Sequence, residues 1–232
     1  MNRAVKFVAA VCMILSLPLG VNAKVDIRDF GNTARYAKAN AALGQPKQNE
    51  KRVVMFGNSI MECWQLRYPE FFERTGYICR GISGQTTYQF LLRFRQDVIN
   101  LHPRVVVIGG PTNDIAENTC PYNEETTFGN IVTMVELARQ NKIRVVLSAV
   151  LPSQKFPWSK ATGVSPKIKL LNARLKAYAK QQKIPFADYY DAMLDSDGIS
   201  QNKSYTTDDV HPNKSGYQVM EQILLPLVKK QL

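Results

Sequence analysis

The 232-residue sequence predicts an α/β fold on a parallel sheet, from three observations. First, short β-branched runs recur after a basic residue: Arg52-Val53-Val54-Met55-Phe56, Arg104-Val105-Val106-Val107-Ile108 and Arg144-Val145-Val146-Leu147-Ser148. Continuous apolar runs of this length suit parallel strands covered on both faces. Second, residues at helical spacing lie between these runs. Third, the two patterns alternate to the end of the chain, which implies one sheet joined by right-handed crossovers.

The elements follow in chain order. Arg3 and Lys6 begin a short basic stretch, Phe7 to Leu17 is apolar, Pro18 and Gly20 break it, and Val21-Asn22-Ala23 offers small residues for cleavage. Residues 1–23 read as a secretory signal peptide, giving a secreted or periplasmic chain that starts at Lys24. A membrane anchor fits less well, because the apolar run is too short to span a bilayer comfortably. Stable membrane insertion is therefore not expected, and residues 24–232 are read as one domain.

Thr33 to Leu43 is Ala-rich and helix-compatible, and is expected on the outside of the sheet. Tyr77 to Gly81 and Ile184 to Ala187 are two further strands, for five in all. Thr86 to Val98 is expected to be helical. Phe128, Ile131, Val132, Val135 and Ala138 mark one helix. Ile168, Leu171, Leu175 and Tyr178 mark another, with Ser165-Pro166 as its cap and first turn. Tyr217, Met220, Leu224 and Leu227 mark the last, whose final turn Pro226 should disturb.

Composition narrows the function classes. With 45% hydrophobic residues the chain is globular rather than disordered. Its formal charge is +11, and without Arg3 and Lys6 it keeps 28 basic and 19 acidic residues, a charge of +9. Solvated helix faces such as Lys167, Lys169, Arg174, Lys176 and Lys180 account for this better than an acidic polymer or membrane surface. An exported chain without a basic-aromatic motif is not expected to bind nucleic acid. Beyond Cys12, Cys63, Cys79 and Cys120 remain, an odd number that allows at most one internal disulfide.

Open parallel sheets collect ligands at the carboxyl ends of their strands. That rule selects Gly57-Asn58-Ser59-Ile60, Gly81-Ile82-Ser83-Gly84-Gln85-Thr86, Gly109-Gly110-Pro111-Thr112-Asn113-Asp114 and the stretch Leu151 to Gly163. A serine nucleophile needs a base, usually histidine, and the chain has two. His102 precedes a strand and so sits at the wrong rim. His211 lies in Asp208-Asp209-Val210-His211-Pro212, a late loop that can reach the active rim. Asp208, three residues back, can share a face with His211 and orient its imidazole, although the two aspartates also suit a solvated turn. Ser59 stands between a strand and a helix, where its N–H favours an oxyanion; taken alone, it reads better as a helix cap. Ser83 is a rival, but its surroundings lack the last glycine of a G-x-S-x-G elbow.

These four loops, in this order, resemble the GDSL/SGNH hydrolase family from about Arg52 to the last helix. Val53 to Ile60 resembles the nucleophile block. Gly81 to Thr87 resembles the second block, with Gly84 at the position that supplies an oxyanion N–H. Thr112-Asn113-Asp114 resembles the third, whose asparagine amide is another oxyanion donor, and Asp208-x-x-His211 resembles the last. The resemblance implies a flavodoxin-like three-layer α/β/α sandwich and a catalytic set of Ser59, Asp208 and His211. It implies an oxyanion hole of Ser59 N–H, Gly84 N–H and the Asn113 amide, with no metal or cofactor. Two positions depart from the pattern. Asn58 replaces the usual aspartate, and Pro111, with its fixed φ and missing N–H, stands where glycine is common.

The resemblance further implies an ester hydrolase acting through an acyl-enzyme. Exported relatives often remove acetyl groups from carbohydrate, so an acylated carbohydrate or other small ester is the expected partner. Trp158 and Phe156, with Trp64, are expected as an aromatic wall for substrate; Trp64 alternatively faces the core. Two other functions stay open: a lipase or lysophospholipase, and a carbohydrate-binding relative without catalysis, which should have lost Ser59, Asn113 or His211.

Overall fold

The computed structural model describes residues 27–232, so the expected signal peptide lies outside the described residues. Five strands, β1 (Val53–Gly57), β2 (Ile78–Gly81), β3 (Val105–Ile108), β4 (Arg144–Ser148) and β5 (Phe186–Ala187), pair in parallel in the order β2-β1-β3-β4-β5. This is the flavodoxin-like order, and its winding reverses between β1 and β3, where such sheets place their ligands.

Among the described residues nine α-helices precede, connect or follow the strands: α1 (Ala37–Leu43), α2 (Ser59–Arg67), α3 (Pro69–Thr75), α4 (Thr87–Asp97), α5 (Thr112–Ile115), α6 (Glu124–Gln140), α7 (Val164–Gln181), α8 (Tyr190–Met193) and α9 (Lys214–Lys229). Alternate strand residues go to opposite layers, as the pleat requires. Val54, Phe56, Val106 and Ile108 pack with Phe90 and Phe94 of α4, Ile131 and Val135 of α6, and Ile168 and Leu171 of α7. Val53, Met55, Val105 and Val107 pack with Trp64 of α2, Phe71 of α3, and Tyr217, Met220 and Leu224 of α9. The three-layer sandwich expected from the sequence is the one observed.

Several details differ from the sequence expectation. The segment 33–43 opens with a 3₁₀ turn over Thr33–Tyr36 and continues as α1. It packs on α4 and the end of β2, with Asn40 Nδ2 donating to Asp97 Oδ1 (2.7 Å) and Tyr36 OH to the Gly81 carbonyl (2.5 Å). Helix α7 begins at Val164 behind Gly163, so Ser165 lies inside its first turn and does not cap it. The buried Val164 and Ile168, one helical turn apart, start the core-facing stripe earlier than Ser165-Pro166 suggests. Helix α9 runs through Pro226 to Lys229. Pro226 and Gln222, whose carbonyl loses its partner, are both exposed, which leaves water to satisfy it. Strand β5 is short because Pro185 has no N–H; it stands at the sheet edge, where proline is tolerated.

The positive charge is spread over helix faces and ends. Lys167, Arg174 and Lys176 pair with Glu117, Glu125 and Asp188. Arg139 and Lys180 sit in the last turns of α6 and α7, where the helix dipole favours cations. Cys63, Cys79 and Cys120 are free thiols. Among the described residues no helix is long and apolar enough to cross a membrane.

Close backbone approaches build the sheet rim, and the tightest of them there is at Gly81. A Cβ on Gly81 would lie 2.3 Å from Glu62 N and 2.8 Å from Asn58 O, both backbone atoms at the start of α2. Gly129 in α6 has nothing within 4 Å of such a Cβ. Gly81→Ala should therefore destabilise the fold by roughly 3 kcal/mol or more, as overpacking against a rigid backbone does. Gly129→Ala should stabilise it by about 0.5–1 kcal/mol through helix propensity. Urea titration checks both, read as midpoint shifts at unchanged slope.

Candidate active site

Strand β1 ends at Gly57, and Asn58 turns the chain into α2. Its Oδ1 accepts from Ile60 N (3.0 Å), and its Nδ2 donates to the Gly110 carbonyl (3.1 Å) in the loop after β3. An ionised aspartate could make the first bond and not the second, so Asn58 ties two rim loops together. Asn58 being the cap, Ser59 is free of that task and becomes the first helical residue. Its N–H belongs to the donors that a helix start leaves unpaired, and among the described residues it has no partner.

The Ser59 hydroxyl lies 2.9 Å from His211 Nε2, and His211 Nδ1 lies 2.8 Å from Asp208 Oδ2. The carboxylate accepts, which assigns the proton to Nδ1 and leaves Nε2 as acceptor for Ser59 O–H. Asp208 Oδ1 also accepts from His211 N (2.7 Å) and Val210 N (3.1 Å), so one carboxylate both folds the turn and aims the ring. Partial burial works to raise the Asp208 pKa, but the His211 side chain and these backbone donors outweigh it and hold the carboxyl well below the usual carboxylate range. Asp209 is exposed, with φ 61°, and makes none of these contacts.

The His211 loop is anchored from outside. Thr206 Oγ1 donates to the His211 carbonyl (2.9 Å), and Arg67 donates to the carbonyls of His211 (3.2 Å) and Pro212 (2.8 Å). Helix α2 thus carries Ser59 at its start and the His211 anchor at its end. His102 is exposed before β3, at the opposite rim, as expected.

The loop after β2 is equally constrained. Ser83 N and Oγ both donate to Glu62 Oε2 (2.8 and 2.5 Å), so the rival serine faces a carboxylate on α2, whereas Ser59 faces the imidazole. Gly84 has φ 79°, which a side chain would strain, and its N–H has no partner among the described residues. Asn113 Nδ2 donates to the Gln85 carbonyl (3.0 Å), so Asn113 joins this same loop. Pro111, at φ −81° and ψ 59°, is the centre of an inverse γ-turn closed by Thr112 N to Gly110 O (2.9 Å). Proline pre-sets that φ, and the turn leads directly to Asn113. Next to it, burial pushes the Asp114 carboxyl up to about 6, against donation from Thr87 and Thr127, which joins α5 to α4 and α6.

The aromatic wall is smaller than expected. Trp158 is 41% exposed and stacks on His211 at 6.0 Å between ring centroids. Phe156 is buried against it at 5.5 Å and supports the indole without offering a surface of its own. Trp64 does not join them. It is fully buried in the opposite layer between Phe71 and Tyr217, because its position on α2 faces the core. Glu62, Arg67, Arg93 and Asn118 were not singled out from sequence, although all four hold the rim loops. Only Arg93 left a signal, as a charged residue on the apolar face of Phe90 and Phe94. Among the described residues no group of three or more His, Cys, Asp or Glu side chains is placed to hold a metal ion.

The chain matches the GDSL-like lipase/acylhydrolase family over residues 55–219. It is 54% identical to a GDSL-like lipase of Bacteroides thetaiotaomicron, with a TM-score of 0.85, covering 88% of this chain and 100% of that one. A Bacteroides fragilis protein is also 54% identical, at TM-score 0.85, over 87% and 97% of the two chains. An acetylxylan esterase of Geobacillus stearothermophilus shares the fold at 16% identity and TM-score 0.59, over 78% and 95%. No curated protein sequence matches the chain.

The geometry separates the two neighbouring aspartates. Asp208→Asn should lower turnover of a chromogenic ester by about 10⁴-fold, as loss of the orienting carboxylate does in comparable triads. Asp209→Asn should stay near wild type. Steady-state kinetics of the two variants checks this; equal losses would contradict it.

Proposed function

This chain belongs to the GDSL-like lipase/acylhydrolase family and is a carboxylic ester hydrolase, and we propose that it removes short acyl groups, acetyl foremost, from carbohydrate esters through an acyl-enzyme. The observation that carries this reading is the 2.9 Å contact between Ser59 Oγ and His211 Nε2, with Asp208 behind the ring. Ser59 Oγ attacks the ester carbonyl carbon while its proton passes to His211 Nε2. The carbonyl oxygen becomes an oxyanion, held by Ser59 N–H, Gly84 N–H and the Asn113 amide. The intermediate collapses, the C–O bond to the leaving alcohol breaks, and His211 returns the proton to that oxygen. Water, deprotonated by His211, then attacks the acyl-enzyme and releases the carboxylic acid and free Ser59.

The substrate class rests on Trp158. An exposed indole next to the base suits the apolar face of a sugar ring in the leaving alcohol. The solved acetylxylan esterases show the same fold carrying such chemistry in other proteins. A long acyl chain would need continuous apolar surface, and the exposed large hydrophobic that lies against His211 is Trp158. The basic start and apolar run of residues 1–23 support export, with residues 24–232 as the catalytic unit.

Hydrolysis of acetylated sugars and of synthetic esters of increasing acyl length tests the reading. Acetyl esters should give the highest kcat/KM, falling with chain length, and Ser59→Ala should lower kcat on the order of 10⁶-fold. Preference for long-chain esters would favour a lipase-type activity, and persistent turnover by Ser59→Ala would remove the proposed mechanism.

A further inference from the structure

Asn118 lies in the exposed turn after α5, and three rim loops meet on it. Its backbone N–H donates to the Asn113 carbonyl (3.1 Å). Its side-chain Nδ2 donates to the Gly84 carbonyl (3.0 Å), and its Oδ1 accepts from Trp158 Nε1 (2.9 Å). The two side-chain bonds need opposite ends of the amide, so together they fix its orientation.

The three contacts fall on the groups assigned to charge stabilisation and substrate binding. Gly84 has φ 79°, and a glycine peptide at a turn rotates easily. An N–H that is to meet an oxyanion must nevertheless be aimed before the reaction. The flanking positions are already held: Ser83 by Glu62, and the Gln85 carbonyl by Asn113. Asn118, with the longer bond from Gln85 N to the Ile82 carbonyl (3.4 Å), holds the Gly84–Gln85 peptide, so the peptide that carries the Gly84 N–H is flanked on both sides by fixed neighbours. At its other end Asn118 sets the tilt of the indole that stacks on His211. An exposed asparagine bonded to two rim loops contributes little core packing, so its placement points to alignment of the site.

We propose that Asn118 is a positioning residue that couples Trp158 to the oxyanion donor at Gly84, so that a leaving group resting on the indole also steadies the hole. The inference rests on the ester-hydrolase reading of the Ser59 site. It differs from that reading in what it asks of a residue that touches neither substrate nor reacting atoms. Asn118→Asp keeps the acceptor for Trp158 and loses the donor to Gly84, placing a carboxylate against that carbonyl. Trp158→Phe keeps a ring and loses the indole bond. Each variant cuts one end of the link.

Steady-state kinetics on phenyl acetate and on an acetylated xylo-oligosaccharide tests this, with thermal unfolding of every variant alongside. Asn118→Asp should lower kcat roughly tenfold on both esters at nearly unchanged KM, a part of the 100- to 1000-fold that loss of a whole oxyanion donor costs. Trp158→Phe should raise KM for the sugar ester and lower its kcat, with little effect on phenyl acetate. In a double-mutant cycle on the sugar ester, Asn118→Ala with Trp158→Phe should lose less kcat than the two single losses combined. Additive losses, or a wild-type kcat in Asn118→Asp, would overturn the coupling. So would a kcat loss matched by an equal fall in folded fraction. Wild-type turnover that needs Ser59 would survive any of these outcomes, whereas turnover by Ser59→Ala would remove the underlying reading instead.

Discussion

The guanidinium of Arg93 is fully buried beneath the carboxyl ends of β1 and β2, where a charge is costly unless its donors are paired. The fold pairs them with the groups that shape the rim. Nε donates to Gln85 Oε1 (2.5 Å), one terminal nitrogen to the Arg80 carbonyl (2.9 Å) and Asp97 (3.1 Å), and the other to the Gly57 carbonyl (2.8 Å). The Phe56 ring lies 4.2 Å from the guanidinium carbon. Gly57 is two residues before Ser59, and Gln85 follows Gly84. One buried cation therefore fixes the spacing between the loop that carries Ser59 and the loop that carries Gly84. Asp97 balances its charge from one turn along α4, and removing one member of such a pair leaves an uncompensated buried charge.

From that fixed point the site is assembled outward. Asn58 joins the loop after β1 to the loop after β3, and Asn113 joins the latter to the loop after β2. Glu62, on the helix that Ser59 begins, holds Ser83. Arg67, at the end of that helix, holds the loop that delivers His211 from 152 residues away in sequence. Ser59 and His211 are both referenced to α2, so their distance depends on one rigid helix more than on the flexibility of a late loop. These bonds hold the loops carrying Gly84 and Asn113 in fixed relation to the start of α2, the kind of preorganisation on which charge stabilisation depends.

Much of this was legible in the sequence. The β-branched runs marked β1, β3 and β4 because a strand buried on both faces has to be apolar throughout. His211 was legible because the carboxyl-rim rule and the scarcity of histidine left one alternative, whereas Ser59, which alone read better as a helix cap, was legible through the resemblance of Val53 to Ile60 to the family's nucleophile block. Other features were set by packing that no local pattern records. Trp64 looked available for substrate, yet the face of α2 it occupies is decided by Phe71 and Tyr217, which come from α3 and α9. Pro226 put the last turn of the final helix in question, yet its exposure on α9 lets the helix run on to Lys229. Arg93 was hidden in an amphipathic helix that predicted well for its apolar residues. Asn118 sits in a polar turn that resembles any other until Gly84 and Trp158 close on it.

The central claim is that His211 activates Ser59 and no other serine. A fluorophosphonate that reacts with activated serines, followed by peptide mass spectrometry, tests it most directly. One adduct per chain is expected, on Ser59, formed far more slowly when His211 is replaced by alanine. An adduct on Ser83, or labelling of Ser59 at the same rate without His211, would contradict it.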